Sequence, residues 1–114
     1  MKGIHFIIDF NNLPFNFLDD QEKIKKILDK VIKISKTKII STKIHKFKPQ
    51  GVTGIYLLSE SHLSFHTWPE FGSISIDLYT CGDTKAAKKS IEFLIQKLSL
   101  LSKDIDYKLR ELIR

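Results

Sequence analysis

Residues 59–83 read Ser-Glu-Ser-His-Leu-Ser-Phe-His-Thr-Trp-Pro-Glu-Phe-Gly-Ser-Ile-Ser-Ile-Asp-Leu-Tyr-Thr-Cys-Gly-Asp. Two runs alternate strictly within it. In 62–68, His62, Ser64, His66 and Trp68 point one way while Leu63, Phe65 and Thr67 point the other. In 73–81, Ser73, Ser75, Asp77, Tyr79 and Cys81 share one side and Ile74, Ile76 and Leu78 the opposite one. A period of two is the mark of a strand with one buried face. This pair of strands decides the fold class. One face is apolar, and the other is too polar for a core and too aromatic for plain solvent, so it suits a site or a subunit interface.

Working outward, the same logic gives strands over 38–47 and 53–59, broken at Pro49–Gly51. Gly3 to Phe10 reads as a first strand, followed by a loop with Asn11, Asn12 and Pro14. Asp19 and Glu22 have capping-box spacing, and Ile24, Ile27, Leu28 and Val31 continue at helical spacing, which predicts a helix over 20–36. Asp83 caps a second helix over 84–100 with the stripe Ala87, Ile91, Leu94, Ile95 and Leu98. Residues 104–110 read as a closing strand through Ile105, Tyr107 and Leu109. An order of strand, helix, four strands, helix, strand predicts an α/β (α+β) two-layer sandwich, an antiparallel sheet with two helices on one face. At 114 residues the expectation is a single domain over 1–114.

Bulk properties narrow the function classes. No apolar run approaches the roughly eighteen residues of a membrane span, and the first ten residues read as a strand rather than a leader, so no membrane partner is expected. One cysteine cannot form an internal bridge, which fits the cytoplasm. The net charge of +6 sits mainly on Lys23, Lys25, Lys26, Lys30 and Lys33 and on Lys36, Lys38 and Lys43 beyond them. That pattern is a solvated helix face without a binding motif, and no nucleic-acid partner is expected.

The chemistry concentrates in Ser61, His66 and Cys81. A serine hydroxyl beside the preceding carbonyl attacks it when the turn is strained, moving the acyl group from nitrogen to oxygen. The ester then undergoes β-elimination once a base takes the serine α-proton. Elimination and hydrolysis leave a pyruvoyl group and release ammonia. His66 suits the base, since an imidazole exchanges protons near neutral pH. Strict alternation, however, sets His66 on the face opposite Ser61, so a bulge or turn at the cleavage point is expected to bring them together. Cys81, before Gly82-Asp83 at a helix start, is placed to be an accessible thiol.

Phe47-x-Pro49-x-Gly51-Val52-Thr53-Gly54, Glu60-Ser61-His62, His66-Thr67-Trp68-Pro69-Glu70 and Thr80-Cys81-Gly82 together resemble the small prokaryotic S-adenosylmethionine decarboxylase proenzymes, a pyruvoyl-dependent family. Four blocks in order make the likeness specific. It is strong from Phe47 to Asp83 and thin in the helices and C-terminus. The resemblance implies cleavage between Glu60 and Ser61 into a β chain, 1–60, and an α chain, 61–114, whose pyruvoyl cofactor derives from Ser61. It implies His66 as processing base supported by Thr53, Cys81 as proton donor to the substrate, and Phe47 and Trp68 as the aromatic pair around adenine. There the rings also attract the sulfonium charge. Glu70 would hold the ribose hydroxyls. The substrate implied is S-adenosylmethionine, decarboxylated to the aminopropyl donor of polyamine synthesis, in a homodimer of cleaved protomers. No metal is implied, and His5, His45, His62 and His66 have no zinc-like spacing with the cysteine. Relatives in the same family decarboxylate arginine or ornithine, which leaves that alternative open. Gly3-Ile4-His5 departs from the basic residue many relatives carry between glycine and histidine.

Overall fold

The computed structural model describes residues 2–114. Its elements are β1 (Ile4–Asn11), α1 (Phe15–Leu18), α2 (Gln21–Ile34), β2 (Ile39–Lys46), β3 (Val52–Leu58), β4 (Ser61–Trp68), β5 (Ser73–Thr80), α3 (Thr84–Ser99) and β6 (Asp106–Ile113), with a 3-10 turn at Pro69–Phe71. The strands form one sheet in the order β2-β3-β4-β5-β1-β6, and every pairing is antiparallel. This is the two-layer arrangement expected from the alternation.

The alternation in β4 and β5 is realised residue by residue. Leu63, Phe65, Ile74, Ile76 and Leu78 are buried, with Ile4, Phe6, Ile8 and Phe10 of β1 beside them. Ile24, Leu28, Val31 and Ile32 of α2 and Ala87, Ile91, Leu94 and Leu98 of α3 close this core from the helix side. Both helices therefore cover one face. The open face carries His5, His62, Ser64, His66, Asp77 and Tyr79, all intermediate in burial, together with exposed Ile55 and Leu57.

Three local features differ from expectation. Residues 15–18 make a short helix where the sequence reads as loop, because Phe17 and Leu18 bury themselves under the sheet end. The cap of α2 is Asp20, whose side chain accepts from the Glu22 and Lys23 amides, not Asp19. Asp19 instead accepts from the Gly51 amide at 2.8 Å and pairs with Lys46 at 2.9 Å, tying the β2–β3 turn to the helix corner. The Gly51 N–H and then Lys46 hold the Asp19 carboxyl below the usual range. The third difference is the last strand, which runs three residues further than expected and is exposed throughout.

Candidate functional site

The hairpin joining β3 to β4 has two turn residues, Ser59 and Glu60, with Leu58 opposite Ser61. Glu60 takes φ 60, in the left-handed region that glycine visits freely and an L side chain does not. The turn therefore carries backbone strain in the residue just before Ser61. Ser61 comes next, 9% exposed, and its Oγ finds no hydrogen-bond partner among the described residues. A buried hydroxyl without a partner is costly and rare. Here it adjoins the Glu60 carbonyl by chain connectivity.

Ser61 pairs with Thr80 on β5, so Cys81, one residue on, lies at the same end of the sheet. Cys81 is exposed, and its thiol donates to the Tyr79 hydroxyl at 3.5 Å. Hydrogen bonding with Cys81 is the main reason the Tyr79 phenol is pushed up. Asp83 behind the thiol caps α3 through the Ala86 amide at 3.0 Å. Ser61 and Cys81 are thus held at one end by the β4–β5 ladder and the start of α3.

The other expected residues gather at the far end of β4, on the open face. Thr53 Oγ1 and His66 Nδ1 share a hydrogen bond across the β3–β4 pair. The Trp68 ring lies 4.2 Å from that of His66 and the Phe47 ring 6.1 Å, centroid to centroid. His45 packs edge-on against Phe47 at 4.5 Å. Glu70 follows Trp68 in the 3-10 turn and is exposed. Beside this group lies a broad depression of about 680 Å³, lined by Thr53, Ile55, Ser64, His66, Ser75 and Asp77 among others.

The expected bulge that would join Ser61 to His66 is not there. β4 pairs with both neighbours without a shift from Ser61 to Trp68 in register with β5. The two side chains stay on opposite faces, five residues apart, which is about 16 Å along a strand. Within one chain the candidate residues therefore fall into two groups, candidate half-sites: Ser61 with Cys81, and Thr53–His66 with Phe47, Trp68 and Glu70. Sequence reasoning gave no role to Tyr79 or to Asp77. Their signal was present only as two residues on the polar side of β5.

The fold and site define a class: a helix-backed antiparallel sheet with a strained Glu-Ser hairpin, an exposed thiol and an aromatic end. The model of the S-adenosylmethionine decarboxylase family matches residues 4–111, and the chain belongs to that family. A relative named S-adenosylmethionine decarboxylase proenzyme in Thermoplasma volcanium is 43% identical over 96 residues, 84% of this chain and 74% of that protein. One of the same name in Sulfurihydrogenibium is 39% identical over 109 residues, 96% of this chain and 80% of its own. The crystal structure of the adenosylmethionine decarboxylase from Aquifex aeolicus superposes with a TM-score of 0.81 at 33% identity, covering 98% of this chain and 92% of that one. No helix among the described residues is long and apolar enough to cross a membrane.

Proposed function

We propose that the protein cleaves itself between Glu60 and Ser61 and then decarboxylates S-adenosylmethionine, making the aminopropyl donor for polyamine synthesis. The observation that carries this reading is the buried, unpartnered Ser61 Oγ directly after a left-handed Glu60. The relatives' name, proenzyme, supports a processed chain.

The residues fit the formation of a pyruvoyl group. Ser61 Oγ attacks the Glu60 carbonyl carbon, the peptide C–N bond breaks, and an ester remains with a free amine on Ser61. Removal of the Ser61 α-proton expels the Glu60 carboxylate, and water then replaces nitrogen, which leaves as ammonia. Release of the φ strain at Glu60 favours the first step. Once formed, the pyruvoyl ketone supplies the electron sink for loss of carbon dioxide from an amino acid bound through its amine. Cys81, at the same sheet end, delivers the proton to the substrate α-carbon. Phe47 and Trp68 hold the adenine and Glu70 the ribose hydroxyls, while Thr53 orients His66 as the processing base.

For that base to reach Ser61, the half-sites must come from two chains. A homodimer in which one protomer's His66 end meets the partner's Ser61 end completes the site. The exposed Ile55 and Leu57 on the uncovered sheet face favour burial against a second copy. Co-expression of Ser61→Ala with His66→Ala tests this. Shared sites predict that the His66→Ala chain is cut, with its base supplied by the partner. A heterodimer that forms and leaves both chains whole contradicts it.

Arginine or ornithine is the rival substrate class. Two aromatic rings close to His66, Trp68 at 4.2 Å and Phe47 at 6.1 Å, favour a nucleoside. A carbon dioxide release assay with the three substrates decides: turnover of arginine or ornithine alone would reverse the assignment.

A further inference from the structure

On the open face, at the depression that Thr53 and His66 also line, three side chains from three adjacent strands converge. His5 of β1 and His62 of β4 each stand opposite Tyr79 of β5, two residues from Asp77 on the same face. Asp77 Oδ2 lies 2.9 Å from His5 Nε2 and 3.2 Å from His62 Nε2. One ligand atom from each residue lies within 4.8 Å of the other two, and all three residues are partly buried.

We infer that His5, His62 and Asp77 form a binding site for a divalent transition-metal ion of the zinc class. Their ligand atoms would be the two Nε2 nitrogens and Asp77 Oδ2, with water completing the shell. Two imidazoles and a carboxylate are the donor set such ions prefer. Bond lengths of about 2.0–2.2 Å to zinc put neighbouring ligand atoms roughly 3.3 Å apart. Both imidazole–carboxylate separations already lie near that spacing.

The support around the set is built in. Asp77 lies on the strand between the other two, so the β-ladder fixes all three backbones. The Ser64 hydroxyl donates to Asp77 Oδ1, orienting the carboxylate and leaving Oδ2 for the shared position. Sequence spacing could not reveal this set, because 57 positions separate the histidines and only the sheet order brings β1 and β4 to either side of β5.

One neighbour opposes the ion and thereby gives the proposal a signature. Arg114 Nη1 lies 3.3 Å from His5 Nδ1. A guanidinium can only donate, so it leaves His5 with its proton on Nε2, aimed at Asp77. Metal binding needs the reverse tautomer, with Nε2 bare and Nδ1 protonated. Removing the arginine should therefore tighten binding, whereas removing any ligand should weaken it.

The test is calorimetric titration of the chelator-stripped full chain with zinc chloride, alongside cobalt(II) absorption as a direct report of ligand geometry. The expected result is one ion per chain, weakened about tenfold or more by Asp77→Asn and by His62→Ala. Asp77→Asn preserves shape and so keeps the fold. Arg114→Gln should strengthen binding, and His45→Ala and Cys81→Ser should leave it unchanged. Binding that is absent at about 0.1 mM zinc, that survives Asp77→Asn, or that is lost with Cys81→Ser would overturn the assignment. None of these readouts depends on cleavage or decarboxylation, so the metal site stands or fails apart from the proposed function.

Discussion

At the scale of single residues, Glu60 and Tyr79 are where the structure adds most to the sequence. Glu60 occupies a conformation that costs an L residue about 1–2 kcal/mol and glycine nearly nothing. In a Ser61→Ala background, where the chain stays whole, Glu60→Gly should raise stability by about 1 kcal/mol in denaturant unfolding. With Ser61 restored, the same change should slow cleavage, since less strain is released. An unchanged cleavage rate would separate the strain from the chemistry. Tyr79 accepts from the Cys81 thiol, and that contact pushes the phenol up so that it stays protonated. After the thiol gives its proton away, the phenol can donate to the thiolate. Tyr79→Phe should therefore leave cleavage intact and lower kcat with little change in KM. An unchanged kcat would remove Tyr79 from the mechanism.

At the scale of elements, the strands were legible because period-two alternation survives folding wherever one face is buried. Leu63, Phe65, Ile74, Ile76 and Leu78 went to the core as their pattern implied. The short α1 was not legible: four residues contain too little periodicity, and tertiary burial of Phe17 and Leu18 decides their conformation. The choice between Asp19 and Asp20 as cap was likewise invisible, because it turns on Gly51, 32 positions away from Asp19. That tie gives a pH signature. The Asp19 carboxyl is held low in the folded chain, so its contribution is present above the unfolded value near 3.8 and is lost as pH falls through the folded one. Asp19→Asn should cost about 1 kcal/mol at pH 7, reduced from a buried bond's worth by solvent. The gap between the melting temperatures of wild type and variant should stay level down to about pH 5 and close below pH 4. A gap that widens in acid would contradict this. Gly54 tests the β3–β4 pair in a different way. A Cβ there would meet Phe65 Cε1 at 2.3 Å and Ile44 Cγ1 at 3.1 Å. Gly54→Ala should destabilise by roughly 2 kcal/mol, measured by denaturant unfolding, because the ring cannot move without opening the core.

At the scale of the whole molecule, the candidate site residues stand out in the sequence as types and blocks, but their grouping in space does not. Ser61, His66 and Cys81 lie within one stretch of sequence, yet a strand is rigid and straight. Five residues of β4 therefore hold Ser61 and His66 about 16 Å apart. The register of β5 instead places Cys81 by Ser61, and the β3–β4 pair places Thr53 by His66. Likewise, the sheet order alone assembles His5, His62 and Asp77. The central claim, that this chain makes its own cofactor at Ser61, is tested most directly by the denatured intact mass of freshly purified protein. The account predicts two fragments meeting at Glu60 and Ser61, the C-terminal one lighter than its serine form by one ammonia. Ser61→Ala should give one whole chain. A wild-type chain that stays uncut, or a Ser61→Ala chain that still yields two fragments, would contradict it.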